Sequence, residues 1–257
     1  MKTFLRANGK LILFLLALSW VGALTVLPYL GYTTVLPAET GLTKQLLFVT
    51  TVVNSTLNTL LAVVVGLTLG RRVGLGAPHL SAWLAGGERT APFAGKALLL
   101  SAGVGAIAIL LTVGADLLFQ PYLPATLAGA DGEDIVPFWA GLLTMFYGGI
   151  NEELWMRFGV MSFVVWLLGA LFARKAGKKP AWIYVAGIVF AAVVFGVGHL
   201  AAAPAMFADV TTVLVVRIIL VNMIAGLFYG ALYWKKGIEY AIVAHMVGDI
   251  VLHAILG

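Results

Sequence analysis

The sequence predicts an all-α fold: a polytopic transmembrane helical bundle of about seven to eight helices, with a broken helix near an acidic motif. Three observations carry that prediction. The 257 residues are 61% hydrophobic and only 11% charged, with a mean hydropathy of +1.03, whereas a soluble domain is roughly a quarter charged. Apolar runs of about 20 residues, the length needed to cross a hydrocarbon core, recur along the chain. The basic residues collect between alternate runs, as orientation by positive charge requires. The runs are continuous rather than alternating, which argues against an outer-membrane barrel.

The expected spans are 11–32, 46–69, 97–119, 138–173, 181–204, 211–234 and 238–256. Lys2, Arg6 and Lys10 precede the first, and Arg71, Arg72, Arg89 and Lys96 lie between the second and third. Arg174, Lys175, Lys178 and Lys179 follow the fourth, and Lys235 and Lys236 follow the sixth. The opposite loops hold only Lys44 and the acidic cluster Asp131, Glu133 and Asp134. This places the N-terminus in the cytoplasm of a multi-pass cell-membrane protein. The first run also resembles a signal peptide, with Val21-Gly22-Ala23 as a cleavage candidate. Its loss would break the charge pattern, so it is expected to stay as an anchor.

The 138–173 stretch is too long for one straight span, since a helix of that length would reach about 54 Å. Gly148 and Gly149 stand before Asn151, which is expected to cap a new helix beginning at Glu152. The longest loop is expected around 71–96, with the Gly74–Pro78 stretch inside it. The whole chain, 1–257, reads as one membrane domain: motif-free N-terminal helices over 1–136 and a motif-bearing core over 137–257. The net charge of +5 belongs to the loops and suggests no nucleic-acid partner. With no cysteine there is no disulfide, thiolate nucleophile or Cys-ligated metal.

Polar groups at membrane depth are the unusual feature. An ionised side chain near the bilayer centre costs about 2.5–3.5 kcal/mol on insertion scales, so such groups face protein or a wet cavity. Glu152, Glu153 and Arg157 fall within the fourth span. Glu153 and Arg157, four apart, form an ion pair on one helix face, while Glu152 points about 100° away and is free for chemistry. A buried polar clasp without a reaction is the competing reading. In the fifth span Phe195 and His199 share a face, and Gly196 and Gly198 allow a neighbouring helix to approach. In the last, His245, Asp249 and His253 recur on one face. Taken singly, a helix-buried His is more often a packing residue than a catalytic one; three successive polar segments ask for a shared site. The remaining groups have plainer readings. His79 is expected in a solvated loop, Arg217 and Asn222 as an intramembrane polar pair, and Asp116 and Asp209 at outer span ends.

Glu152-Glu153-x-x-x-Arg157, Phe195-x-x-x-His199 and His245-x-x-x-Asp249 resemble, in order, the three motifs of the CAAX-protease and bacteriocin-processing (Abi) family of intramembrane endopeptidases. The resemblance covers about 138–256. Many members have Phe-Arg-Gly where this chain has Met156-Arg157-Phe158-Gly159, and the last motif position, often Asn, is Asp249. The resemblance implies a glutamate-dependent protease acting on a membrane-associated peptide or protein, in contact with the lipid bilayer.

On the residues themselves, Glu152 and His199 would hold and deprotonate a water, and His245, aided by Asp249, would stabilise the oxyanion. Glu153, Arg157 and Phe195 would support the site. No cofactor is expected. A divalent ion held by two Glu and two His is the competing arrangement, but there is no His-Glu-x-x-His helix and the Glu153–Arg157 pair removes one ligand. Rival functions are a non-catalytic scaffold, bacteriocin-immunity factor or signalling regulator, and a proton-coupled transporter. The transporter reading lacks visible inverted repeats.

Overall fold

Apolar surface in lipid leaves the backbone no water to bond, so helices satisfy it internally. The computed structural model describes residues 2–34, 41, 43–86, 95–126 and 136–256, with side chains from residue 8 onward. Arg89, Asp131, Glu133 and Asp134, and the side chains of Lys2 and Arg6, lie outside the described residues.

The chain is a multi-pass helical bundle. α1 (Lys2–Thr25) continues into the short α2 (Leu27–Thr33), and α3 (Lys44–Thr68) returns. A tight turn at Gly70–Val73 leads to α4 (Pro78–Leu84), then α5 (Gly95–Phe119). α6 (Phe138–Phe146) runs through two wide π-type turns, Tyr147–Glu152 and Leu154–Met161, into α7 (Ser162–Phe172). α8 (Ala181–Gly198) ends in a tight 3-10 stretch, His199–Ala205, and α9 (Thr212–Lys236) follows. α10 (Ile238–Asp249) closes the described chain with a π-type turn, Ile250–Ile255. Among the described residues, seven stretches are long and apolar enough to cross a membrane, including Asn8–Thr33, Phe138–Phe172 and Ile238–Ile255. They coincide with the expected spans to within a few residues.

α10 lies inside the bundle, against α5, α6, α9 and the Tyr147–Glu152 turn. Gly105 and Gly141 make that possible. A Cβ on Gly105 would strike the Ala244 carbonyl, and one on Gly141 the His253 carbonyl. The buried core joins Leu11 and Leu15 of α1, Val63 and Leu67 of α3, Phe158, Ile183, Tyr229 and Ala244. Large apolar side chains such as Leu13, Leu61, Leu99 and Leu118 instead face outward, as lipid contact demands.

Two expectations are corrected here. The interruption at the acidic motif is a widening of the helix rather than a fresh start: residues 146, 153 and 161 keep right-handed helical dihedrals. Asn151 therefore caps nothing. Its amide donates to the Ser19 carbonyl and hydroxyl, each at 3.1 Å, tying the motif segment to α1. Second, the described part of 71–96 is not simply loop: it includes α4, and His79 lies half-buried in that helix rather than in a loop. The backbone N–H groups of His79 and Leu80 donate to Glu239 Oε1 at 2.9 and 2.8 Å, so a buried carboxylate from α10 caps α4.

Candidate functional site

The wide turns matter because they set where the motif side chains point. A π-type turn adds a residue to the helical circuit and is often found at functional sites. Here Glu153 and Arg157 still meet: Arg157 Nη1 lies 2.9 Å from Glu153 Oε1, with both side chains essentially inaccessible. That contact is an ion pair without hydrogen-bond alignment, since Nη1 has no acceptor along its N–H directions. Arg157 Nη2 donates to the Gly226 carbonyl on α9 at 3.1 Å. Its guanidinium also lies over the rings of Phe195, at 5.0 Å, and Tyr229, at 5.5 Å, an arrangement that compensates a buried cation.

His245 joins this pair. Its Nδ1 is 2.8 Å from Glu153 Oε1, so one carboxylate oxygen serves both the guanidinium and the imidazole. Its Nε2 faces Glu152 Oε2 at 3.7 Å and Asp249 Oδ1 at 3.5 Å. Tyr229 stacks on the imidazole at 4.5 Å and 22°, and Phe195 meets it edge-on at 5.9 Å. The ring is clamped on its faces and tethered at Nδ1, leaving Nε2 toward the two remaining carboxylates. Glu152 is the most accessible acid of the cluster: its side chain is 18% exposed, against 10% for Asp249 and none for Glu153.

Close backbone approach builds this geometry. A Cβ on Gly148 would collide with Asp249 Oδ2 and lie 3.0 Å from His245 Nε2. The glycine pair before Asn151 lets α10 seat its polar groups against the motif turn. Gly196 behaves as expected, since a Cβ there would meet the Ile219 backbone. Gly198 does not: it faces open space.

His199 stands apart from the ion pairs. Its Nδ1 is 2.9 Å from the Phe195 carbonyl; a carbonyl only accepts, so Nδ1 carries the hydrogen and Nε2 of the neutral ring is an acceptor. The Phe195 ring touches the His199 imidazole edge-on at 4.6 Å, so one phenyl contacts both histidines. Among the described residues no hydrogen bond or ion pair joins His199 to Glu152. His253 turns to α2, where the Tyr29 hydroxyl lies 3.2 Å from its Nδ1. Arg217 pairs with Asp116 of α5 rather than with Asn222, whose amide donates to the Ile218 carbonyl.

Among the described residues, no group of three or more His, Asp or Glu side chains is arranged to hold a metal ion. Two of the possible donor atoms are engaged elsewhere, Glu153 Oε1 by Arg157 and His245, and His199 Nδ1 by a carbonyl.

Sequence reasoning missed Tyr229 and Asn151 as parts of this assembly. A tyrosine in an apolar helix carries no spacing signal, and the partners of Asn151 lie 132 residues away.

No curated protein and no solved structure matches the chain. A family model does, over residues 134–251: type II CAAX prenyl endopeptidase Rce1-like. That interval holds Glu152, Glu153, Arg157, Phe195, His199, His245 and Asp249, and the family implies protease activity in a membrane. By this match, residues 134–251 of this multi-pass membrane protein are similar to the Rce1-like family of CAAX-type endopeptidases.

Proposed function

We propose that the chain is a glutamate-dependent intramembrane endopeptidase, hydrolysing a peptide bond in a membrane-associated peptide or protein. The observation that carries this reading is the division of labour among the carboxylates. Glu153 is sealed in and engaged by Arg157 and His245, whereas Glu152 is the most open acid and has no arginine against it. Both ring nitrogens of His245 face carboxylates, so both can serve as N–H donors, and Glu152 is the acid most open to a water molecule.

Water attacks the scissile carbonyl carbon while Glu152 accepts its proton, which then passes to the departing amine. The acceptor Nε2 of His199 holds the water's second hydrogen. His245 Nε2–H donates to the oxyanion as it forms, with Asp249 orienting the ring. Glu153, Arg157 and Phe195 hold the imidazoles in place and touch no reacting atom. No nucleophilic side chain and no metal step is required. We further propose that 1–257 acts as one domain, because α1 is bonded to the motif turn through Ser19. Its basic end would face the cytoplasm of the cell membrane.

The test is reconstitution in vesicles with membrane-anchored peptides in water enriched in oxygen-18. Fragments carrying the label in a new carboxylate are expected from wild type and not from Glu152→Gln. Label-free, uncut peptide with wild type, or equal cleavage by the variant, would overturn the assignment.

A further inference from the structure

At the end of the bundle away from Glu152, two neighbouring cavities of about 430 and 400 Å³ share Gly74, Trp234 and Lys235. The first lies between the turn after α3 and the α9–α10 junction; the second continues toward the α7–α8 loop. Their walls bring Arg71, Arg72, Lys178, Lys179, Lys235 and Lys236 together, and no Asp or Glu lines either one. Three of these six cations have other contacts. Arg71 donates to Asn8 and Lys179 to the carbonyls of Ala173 and Ala176. Lys235 Nζ sits 3.4 Å over the Trp234 ring. Among the described residues no carboxylate pairs with Arg72, Lys178 or Lys236. Glu239, next to Gly237, is buried and its Oε1 is spent on α4.

The aromatic wall is as informative as the charge. Trp234 stacks on Tyr184 at 4.8 Å and 10°, and Tyr184 donates to the Val73 carbonyl at 2.7 Å. This fixes an indole at the ends of two spanning helices, the level at which tryptophan and tyrosine sit against headgroups. Gly237, at φ +106°, keeps the α9–α10 junction tight, so that Lys235 and Lys236 project beside the cavity rather than away from it.

We propose that these joined cavities bind the phosphate of an anionic phospholipid headgroup. Arg72 and Lys235 grip the phosphate, and the Trp234 ring packs on the glycerol and upper acyl chain. A lipid fits better than a free phosphate because the cations rim an aromatic pair, Trp234 on Tyr184, at the ends of two membrane-spanning helices, the level of the headgroups. This site is separate from the acidic cluster and does not depend on its chemistry.

Thermal unfolding of the purified full chain in neutral detergent, with native mass spectrometry of retained lipid, tests the proposal. Phosphatidylglycerol is expected to raise the melting temperature and to be retained, whereas phosphatidylcholine is not. Arg72→Gln/Lys235→Gln should weaken phosphatidylglycerol retention about fivefold for each cation removed. Arg174→Gln/Lys175→Gln, two exposed bases outside both cavities, should leave it unchanged. The proposal is overturned if both double variants lose retention equally, which would mean diffuse surface attraction. It is also overturned if phosphatidylcholine binds as well, or if inorganic phosphate reproduces the full stabilisation.

Discussion

Arg157→Met removes the only arginine of the buried cluster while keeping an unbranched apolar stem. Glu153 then stays wholly inaccessible with His245 Nδ1 as its one remaining donor, and its Oε2 already lacks a partner. Breaking a buried pair by deleting one side costs about 3–5 kcal/mol, because a charge is left uncompensated. The lost Gly226 bond and the contacts with Phe195 and Tyr229 act in the same direction. Glu153→Gln/Arg157→Met removes both charges and keeps an acceptor for His245, so it should be no worse than the single change. The coupling in the double-mutant cycle should exceed about 1 kcal/mol. Denaturant titration in mixed micelles, followed by tryptophan fluorescence, measures each species. A single variant within about 1 kcal/mol of wild type, or a double variant as unstable as the two singles added, would refute the reasoning.

Other changes probe the supports. Gly148→Ala drives its methyl into the Asp249 carboxylate and against His245 Nε2, and overpacking of this kind costs about 1–3 kcal/mol; peptide cleavage should fall even in preparations shown to be folded by thermal melting. Glu239→Ala strands the N–H groups of His79 and Leu80, so the α4 amides should lose hydrogen-exchange protection, while Glu239→Gln, still an acceptor, should retain most of it. Activity in the presence of a strong chelator should equal that without it; loss restored by zinc would show that the carboxylates and imidazoles do take a metal.

The spans, the Glu153–Arg157 pair and the gathering of three motif segments were legible because each rests on local periodicity or composition. Helix length and four-residue spacing are properties of a single segment. What escaped was the choice of partner between segments. Arg217 was assigned to Asn222, five residues on, when its counter-ion is Asp116, 101 residues away on α5. Spacing paired His245 with Asp249, and the structure adds Glu153, 92 residues earlier, as its closest acid. Glu239 drew no notice, since an acid in the first turn of a helix needs no explanation; its role as the cap of α4 emerges only when α10 is docked. Asn151 shows the same limit. Its neighbours suggested a cap, but the helix runs on through wide turns and the amide bonds to α1.

The most direct test of the central claim compares host cells expressing wild type and Glu152→Gln at equal membrane abundance, with protein termini mapped by mass spectrometry. New termini in membrane-associated proteins with wild type, absent with the variant, are the predicted result. Identical termini in both would contradict a glutamate-dependent protease and favour a scaffold built on the same buried cluster.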